Sequence, residues 1–249
     1  MPRQSLAAVS VIAVIVLSTF TARLNRSVSA SPKELNVISR TKGNEVLTAE
    51  VFDNQLTIKL KNNHKDTITA FAIRFRDTTI KEDFAYSDVH FGIEPGDTFQ
   101  TSYPLSPSPT GELPTVYLLT VVLKDDTNDG DSKIAQEIED VRLADKIQLL
   151  RTLRILEREG LSGKELKIIK SDIVAALNAG ELETRITLKE LKPGSGADSK
   201  LSDALKSGLH WGRETILRRF EELEQVPTDY RELAFTRLKE RAHKLFAKL

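Results

Sequence analysis

Apolar and polar residues alternate over two neighbouring runs of the chain, residues 45–52 and residues 55–61. In the second run three apolar side chains share one face and polar side chains share the other, which predicts a half-buried strand. Asp53 and Asn54 lie between the two runs and have the chemistry of a tight turn. The pattern therefore predicts a β-hairpin over residues 45–61.

Similar runs continue along the chain as far as residue 124. Residues 67–76 and 115–124 are rich in β-branched and aromatic residues, residues 98–103 form a shorter run, and residues 83–91 form a weaker one. Turn residues separate these runs, and the proline-rich residues 104–114 are expected to form a loop outside the sheets. Six or seven short strands of this kind predict a β-sandwich of immunoglobulin-like type.

The apolar period changes from two to three or four residues after Ser132. Four helices are predicted, near residues 132–159, 162–179, 201–224 and 228–249. Glycine, serine and proline at residues 192–200 indicate a linker between the second and third of them. The predicted fold class is therefore α+β, with an immunoglobulin-like β-sandwich at residues 33–125 followed by a helical region at residues 131–249.

The first thirty residues form a separate segment. Arg3 precedes an uncharged apolar run at residues 6–20, and a small-x-small sequence allows cleavage before Ser31. Residues 1–30 are therefore predicted to be a secretory signal peptide. The alternative is an uncleaved anchor helix at residues 6–22, which is close to the shortest length that spans a membrane. Both interpretations place the protein outside the cytoplasm, either periplasmic, secreted or anchored to the outer face of the cytoplasmic membrane.

Composition narrows the classes of function. The 249 residues carry no net charge and include no cysteine, which excludes disulfides, thiol catalysis and cysteine-ligated zinc. A neutral chain has no overall field that attracts nucleic acid, so no nucleic-acid partner is expected. Residues 31–130 hold ten basic and fifteen acidic residues, whereas residues 131–249 hold twenty-three and twenty-one. This mild asymmetry favours docking of the two halves or contact of the basic C-terminal helix with an anionic surface.

An acidic turn resembles a calcium-binding loop. Asp125, Asp129 and Asp131 lie around a glycine, and carboxylate oxygens are the ligands that calcium prefers. In a helix-loop-helix alignment, however, Lys133 and Gln136 fall at the two ligand positions that complete the site. The favoured interpretation is therefore a strand-to-helix turn in which Asp131 or the next residue caps the helix, with calcium at the three aspartates as the alternative.

Neither the histidines nor a search for catalytic motifs identifies a further candidate site in the sequence. None of the four histidines has a second ligand at metal spacing, so each is interpreted as an ordinary surface or boundary residue. These are His64, His90, His210 and His243. No nucleophile elbow, phosphate loop or dinucleotide fingerprint is present, and an enzymatic function is therefore not expected.

Trp211 is the single tryptophan and lies between Gly208 and Gly212 in a helical pattern. Glycine inside a helix costs about 1 kcal/mol relative to alanine, so the pair indicates close helix packing or a break. Two roles are considered for the indole, a core position between helices and an anchor for a partner. Burial statistics favour the core position.

Four segments resemble a set of exported bacterial proteins with no assigned function. They are LTIKLKNNHKDTITAFAIRF at residues 56–75, IEPGDTF at 93–99, VVLKDDTNDGD at 121–131 and IAQEIEDVRLADKIQLL at 134–150. In those proteins a β-sandwich-like domain ends in an acidic glycine turn and a helix follows. The resemblance implies export and the sandwich, and it supplies no catalytic or cofactor-binding residues.

The sequence favours a non-enzymatic exported envelope protein that serves as an interaction or structural module. Its partner would be a protein or another envelope component, and no cofactor is expected apart from the alternative of calcium. A second hypothesis is a membrane-tethered regulator or assembly factor held by residues 6–22. A third is a hydrolase that acts on an envelope polymer through a pair of carboxylates.

Overall fold

The computed structural model describes residues 31–42, 45–86, 92–105, 112–159, 166–193 and 201–249. Pro32–Leu249 form one compact unit. The described chain is α+β, because all its strands precede residue 131 and its long helices follow that residue. The predicted signal or anchor segment, residues 1–30, lies outside the described residues.

Nine strands occur in these residues. They are β1 (Lys33–Glu34), β2 (Val37–Ser39), β3 (Glu45–Phe52), β4 (Gln55–Asn62), β5 (Ile68–Phe75), β6 (Thr78–Asp83), β7 (Thr98–Pro104), β8 (Val116–Leu123) and β9 (Asn128–Gly130). The runs predicted at residues 45–52, 55–61, 67–76, 98–103 and 115–124 are confirmed as β3, β4, β5, β7 and β8. Four strands were not predicted, namely β1, β2, β6 and β9.

The strands form two sheets. Sheet A has the order β1-β3-β4-β7 with antiparallel pairing throughout, and sheet B has the order β2-β8-β5-β6. In sheet B, β2 pairs with β8 in parallel. β5 pairs with one edge of β8, so β2 and β9 both pair with the opposite edge, β2 with the first half of β8 and β9 with the second half. The predicted hairpin is confirmed: Asp53 and Asn54 connect β3 to β4 with φ values of 48° and 58°, as a tight hairpin turn requires.

One hydrophobic cluster holds the two sheets together. Sheet A contributes the alternate side chains of β4, Leu56, Ile58 and Leu60, and sheet B contributes residues of β5 and β8 that include Phe71 and Leu118. All five side chains are fully buried. The period of two seen in the sequence therefore places one face of each sheet in a shared core.

Helices follow the sheets. They are α1 (Ser132–Glu159), α2 (Leu166–Leu177), α3 (Glu181–Leu191), α4 (Asp203–Glu224) and α5 (Arg231–Lys248). Four of them match predicted helices, and α3 was not predicted. The predicted strand at residues 83–91 is wrong at its start, because Phe84–Tyr86 form a 3-10 turn, and the rest of it lies outside the described residues.

The first turns of α1 cover the second face of sheet B. Ala135 and Ile138 pack on Ala70 and Val122, which lie on β5 and β8. Both strands are therefore buried on two faces, which explains their nearly continuous apolar sequences. The Arg142 guanidinium adds a polar connection from α1 to the sheet.

Arg142 forms a paired contact with Asp83 at the end of β6. Its Nε and Nη2 donate to the two carboxylate oxygens at 2.8 and 2.7 Å, and Nη2 also donates to the Thr69 carbonyl at 3.0 Å. Burial opposes the charge of Arg142, but the hydrogen bonds and the charge of Asp83 outweigh it and raise its pKa. The buried cation is thus fully compensated.

Helix α4 lies directly against α1 at two glycines. A Cβ at Gly208 would lie 2.7 Å from the Ala144 Cβ, and one at Gly212 would lie 2.4 Å from the Asp145 Oδ1. Helix α4 continues through both positions. The glycines therefore allow close packing, as one of the two sequence interpretations predicted.

Gly208→Ala is expected to destabilise the protein by up to about 2 kcal/mol. Alanine gains about 1 kcal/mol of helix propensity, but the methyl group forces α1 and α4 apart at a cost of about 1–3 kcal/mol. The free energy of unfolding in urea measures the balance. Ser207→Ala is the control, since Ser207 is an exposed residue of the same helix, and it should change stability by less than about 0.5 kcal/mol.

Stability should also depend on the ionisation of Asp145. Burial raises the pKa of this carboxyl to about 6, and the charge of Asp83 adds to the effect although the hydrogen bond from Tyr86 opposes it. The folded state therefore keeps a proton that the unfolded state has released, and stability contributed by this group falls as pH rises from about 4 to about 6. Above that range the carboxylate is charged in both the folded and the unfolded state, and its contribution to the free energy of unfolding no longer changes with pH.

Asp145→Asn removes this titration and keeps an oxygen that accepts the Tyr86 hydroxyl. We expect the variant to gain stability relative to the parent chain between pH 4 and pH 7, as urea unfolding at several pH values would measure. Parallel stability curves for the two proteins over that range would contradict the expectation.

Candidate metal centre

Three side chains from distant parts of the sequence meet at the edge of the sheets. Glu45, His64 and Asp129 each place one potential ligand atom within 4.8 Å of the others. Within the described ranges they form the one cluster of at least three acidic, histidine or cysteine side chains with such spacing. The arrangement is therefore the strongest candidate for a functional site.

Glu45 reaches this position because it is in phase with the buried face of β3. Leu47 and Ala49, two and four residues later, point into the core shared by the sheets. The Glu45 side chain has no exposed surface, and its Oε1 has no hydrogen-bond partner among the described residues. A buried carboxylate oxygen without a partner is energetically costly and indicates a ligand.

Asn62 holds His64 against Glu45. The Asn62 side chain is fully buried; its Nδ2 donates to the carbonyls of Asp66 and Ile93 at 2.9 and 2.6 Å, and its Oδ1 accepts the His64 N–H at 2.8 Å. These bonds close the turn after β4. The His64 ring is directed inward as a result, with Nε2 2.5 Å from the Glu45 Oε2 and only 8% of its side chain exposed.

Asp129 is brought to the cluster by the edge of β8. Because β2 and β9 share this edge, the chain that leaves β2 passes Asp129, and the Lys42 N–H donates to its Oδ2 at 2.9 Å. The Thr120 hydroxyl donates to the Asp129 carbonyl at 2.9 Å. Gly130 follows with a φ of 104°, and a Cβ there would lie 2.3 Å from the Leu119 carbonyl oxygen. Glycine therefore permits the close β8–β9 pairing.

The electrostatics of the cluster favour a cation. Burial raises the pKa of Glu45, the hydrogen bond and charge of His64 act in the opposite direction, and the charge of Asp129 raises it again. A divalent ion would compensate both carboxylates and give the free Glu45 oxygen a partner. One imidazole nitrogen and two carboxylates suit a transition-metal ion such as Zn²⁺, whereas calcium prefers six to eight oxygen atoms.

The three aspartates of the predicted calcium site have different partners. The Asp125 Oδ1 accepts the N–H and hydroxyl of Thr127 at 3.0 and 2.5 Å, and these bonds lower the pKa of Asp125. The Asp131 Oδ1 accepts the N–H groups of Lys133 and Ile134 at 3.0 and 3.3 Å and so caps α1. Asp129 instead joins Glu45 and His64, so the structure does not group the aspartates of the acidic turn.

Sequence spacing failed to identify His64, because its neighbours in the cluster are 19 and 65 residues away. One signal was present in the sequence. Glu45 lies in phase with the apolar residues of its strand, and a charged residue on the buried face of a strand indicates an unusual site.

The structure also tests the interpretations of Trp211 and His243. The side chain of Trp211 is 66% exposed and its ring contacts His210, so the interpretation of Trp211 as a core residue is wrong. Gly208 and Gly212 provide the reason, because they face α1, whereas Trp211 is turned about 60–100° away from them around α4. His243 lies 3.3 Å from Glu157 on the surface, and His90 lies outside the described residues.

No protein-family model, curated protein or solved structure matches the chain. Across the described ranges, no helix combines the length and the apolar character that crossing a membrane requires. The predicted anchor at residues 6–22 is outside those ranges.

Proposed function

We propose that this protein is an exported, non-enzymatic envelope module that binds a divalent transition-metal ion through Glu45, His64 and Asp129. The observation that carries the proposal is the buried Glu45 Oε1, which has no hydrogen-bond partner in the described part of the chain and lies beside an imidazole and a second carboxylate. Zn²⁺ fits this set of donors. Solvent or a partner would supply the remaining ligand.

The immunoglobulin-like sandwich is part of the same proposal. Support comes from the hydrophobic cluster to which both sheets contribute and from the mainly antiparallel pairing. In such a module the ion would lie at the edge where the chain passes from sheet B to sheet A. It would stabilise a surface formed by three separate segments, which suits an interaction or structural role.

We expect the purified chain, after treatment with a chelator, to bind one Zn²⁺ or Co²⁺ ion. His64→Gln and Asp129→Asn should each weaken Zn²⁺ binding by at least about 100-fold, because direct ligands matter more than the outer-shell partners whose loss costs 10–100-fold. Asparagine at position 129 retains an oxygen for the Lys42 N–H. Titration calorimetry and the visible spectrum of bound Co²⁺ are the measurements.

Two variants serve as controls. His210→Gln removes an exposed imidazole outside the cluster and should leave the affinity unchanged. Asp125→Asn should also leave it unchanged, and this variant separates the proposed centre from the acidic turn. Equal affinity in the parent chain and His64→Gln would refute the centre, and calcium binding that is lost only in Asp125→Asn would assign the ion to the turn.

Export is proposed from Arg3, the uncharged residues 6–20 and the resemblance to exported bacterial proteins. Intact mass and membrane fractionation of the chain, expressed with its native N-terminus in an exporting bacterium, would test it. A soluble species that begins at Ser31 is expected. A full-length species in a carbonate-resistant membrane fraction would favour the tethered regulator, and a full-length cytosolic species would contradict export.

A further inference from the structure

A surface cleft of about 410 Å³ lies between α1, α2 and α3. Arg151, Arg154 and Arg158 of α1 line it on one side, and Ala176 and Ala179 form part of its floor. Two carboxylates, Asp172 of α2 and Glu183 of α3, also line the cleft. The small alanine side chains leave space in front of the arginines. The cleft lies in the helical region, whereas the proposed metal centre is formed by the sheets.

Arg151 differs from Arg142, the other arginine that is buried among the described residues. It is only 7% exposed, and it donates to two neutral oxygens, the Gln148 Oε1 at 3.2 Å and the Thr184 Oγ1 at 2.9 Å. Among the described residues no carboxylate lies within 4.0 Å of its guanidinium. Burial lowers the pKa of Arg151, with the charge of Glu183 acting in the opposite direction.

Arg142 shows how a buried charge of this kind is compensated inside the fold, because it is paired with both oxygens of Asp83. Arg154 lies on the surface, 2.7 Å from the Glu190 carboxylate. A buried guanidinium without an anion carries an uncompensated desolvation cost. Since Arg151 lines an open cleft, an anion from solution can approach it and compensate the charge.

The guanidinium retains hydrogen-bonding capacity. Arginine has five N–H donors, and two hydrogen bonds connect Arg151 to Gln148 and Thr184. Gln148 is itself fixed by bonds to the carbonyls of Leu177 and Leu209. The planar group is therefore held in one orientation, and a preorganised guanidinium matches the oxygen atoms of phosphate.

We propose that this cleft binds the phosphate group of a small phosphate monoester, with Arg151 as the central ligand. The volume of the cleft exceeds what a single phosphate ion fills. Asp172 and Glu183, which also line the cleft, oppose the bound anion and limit its affinity. The site would be independent of the metal centre and of any catalytic activity.

The test is titration calorimetry of the purified, chelator-treated chain with inorganic phosphate and with glycerol 3-phosphate. We expect both to bind, with the monoester at least about threefold tighter because it also contacts the floor of the cleft. Arg151→Gln should weaken binding of both by at least about tenfold, since it removes a charge-assisted donor. Arg219→Gln changes an exposed arginine of α4 outside the cleft and should have no effect.

Glu183→Gln keeps Arg151 and its hydrogen bonds, and it should strengthen binding severalfold because it removes one of the two opposing charges. This variant decides the question if Arg151→Gln fails to fold. Absence of binding to the parent chain, unchanged affinity in Arg151→Gln, or unchanged affinity in Glu183→Gln would each overturn the proposal. Tighter binding of inorganic phosphate than of the monoester would overturn the assignment to a monoester.

Discussion

The packing of α1 on sheet B is the constraint on which the rest of the structure depends. This helix has 28 residues and a length of about 42 Å, so it extends well beyond the sheet. Ala135 and Ile138 cover the sheet, and later residues such as Ala144 and Leu156 form the cores of the helical region. Arg142 fixes the helix to β6 through Asp83. The helices are thus arranged around an element that the sheet has already oriented.

Buried charges in this chain are of two kinds. The charge of Arg142 is paired with the Asp83 carboxylate inside the fold, so its role is explained by the connection between helix and sheet. Glu45 and Arg151 are buried to a similar degree, yet each retains hydrogen-bonding capacity that the described residues do not use. The Glu45 Oε1 has no partner among the described residues, and the Arg151 guanidinium has only neutral oxygens as partners, so the proposed ligands would offset a desolvation cost at each position. Because the Glu45 side chain is acidic and the Arg151 side chain is basic, the ligand proposed for Glu45 is a cation and the ligand proposed for Arg151 is an anion.

Local patterns predicted most elements of the fold, and long-range contacts account for the rest. The alternation in β4 and the helical periodicity of α1 could be predicted from the sequence, because each pattern reflects one buried face of the element. β2 and β9 have too few residues for any period, and both exist only because the edge of β8 pairs with them. The cluster of Glu45, His64 and Asp129 depends on those same two strands. Spacing along the sequence could therefore reveal neither the strands nor the site.

At this position, the ion proposed for the cluster would couple its binding to the folding of the sheets. Glu45 begins the first long strand of sheet A, while Asp129 belongs to sheet B, and the chain crosses between the sheets just before Glu45. In the unfolded chain the three ligands are separated by 19 and 65 residues, so an ion finds a preformed site only in the folded state. Binding then adds directly to stability, by about 2.7 kcal/mol when the free ion is at 100 times its dissociation constant. An ion bound by ligands from both sheets would therefore oppose their separation.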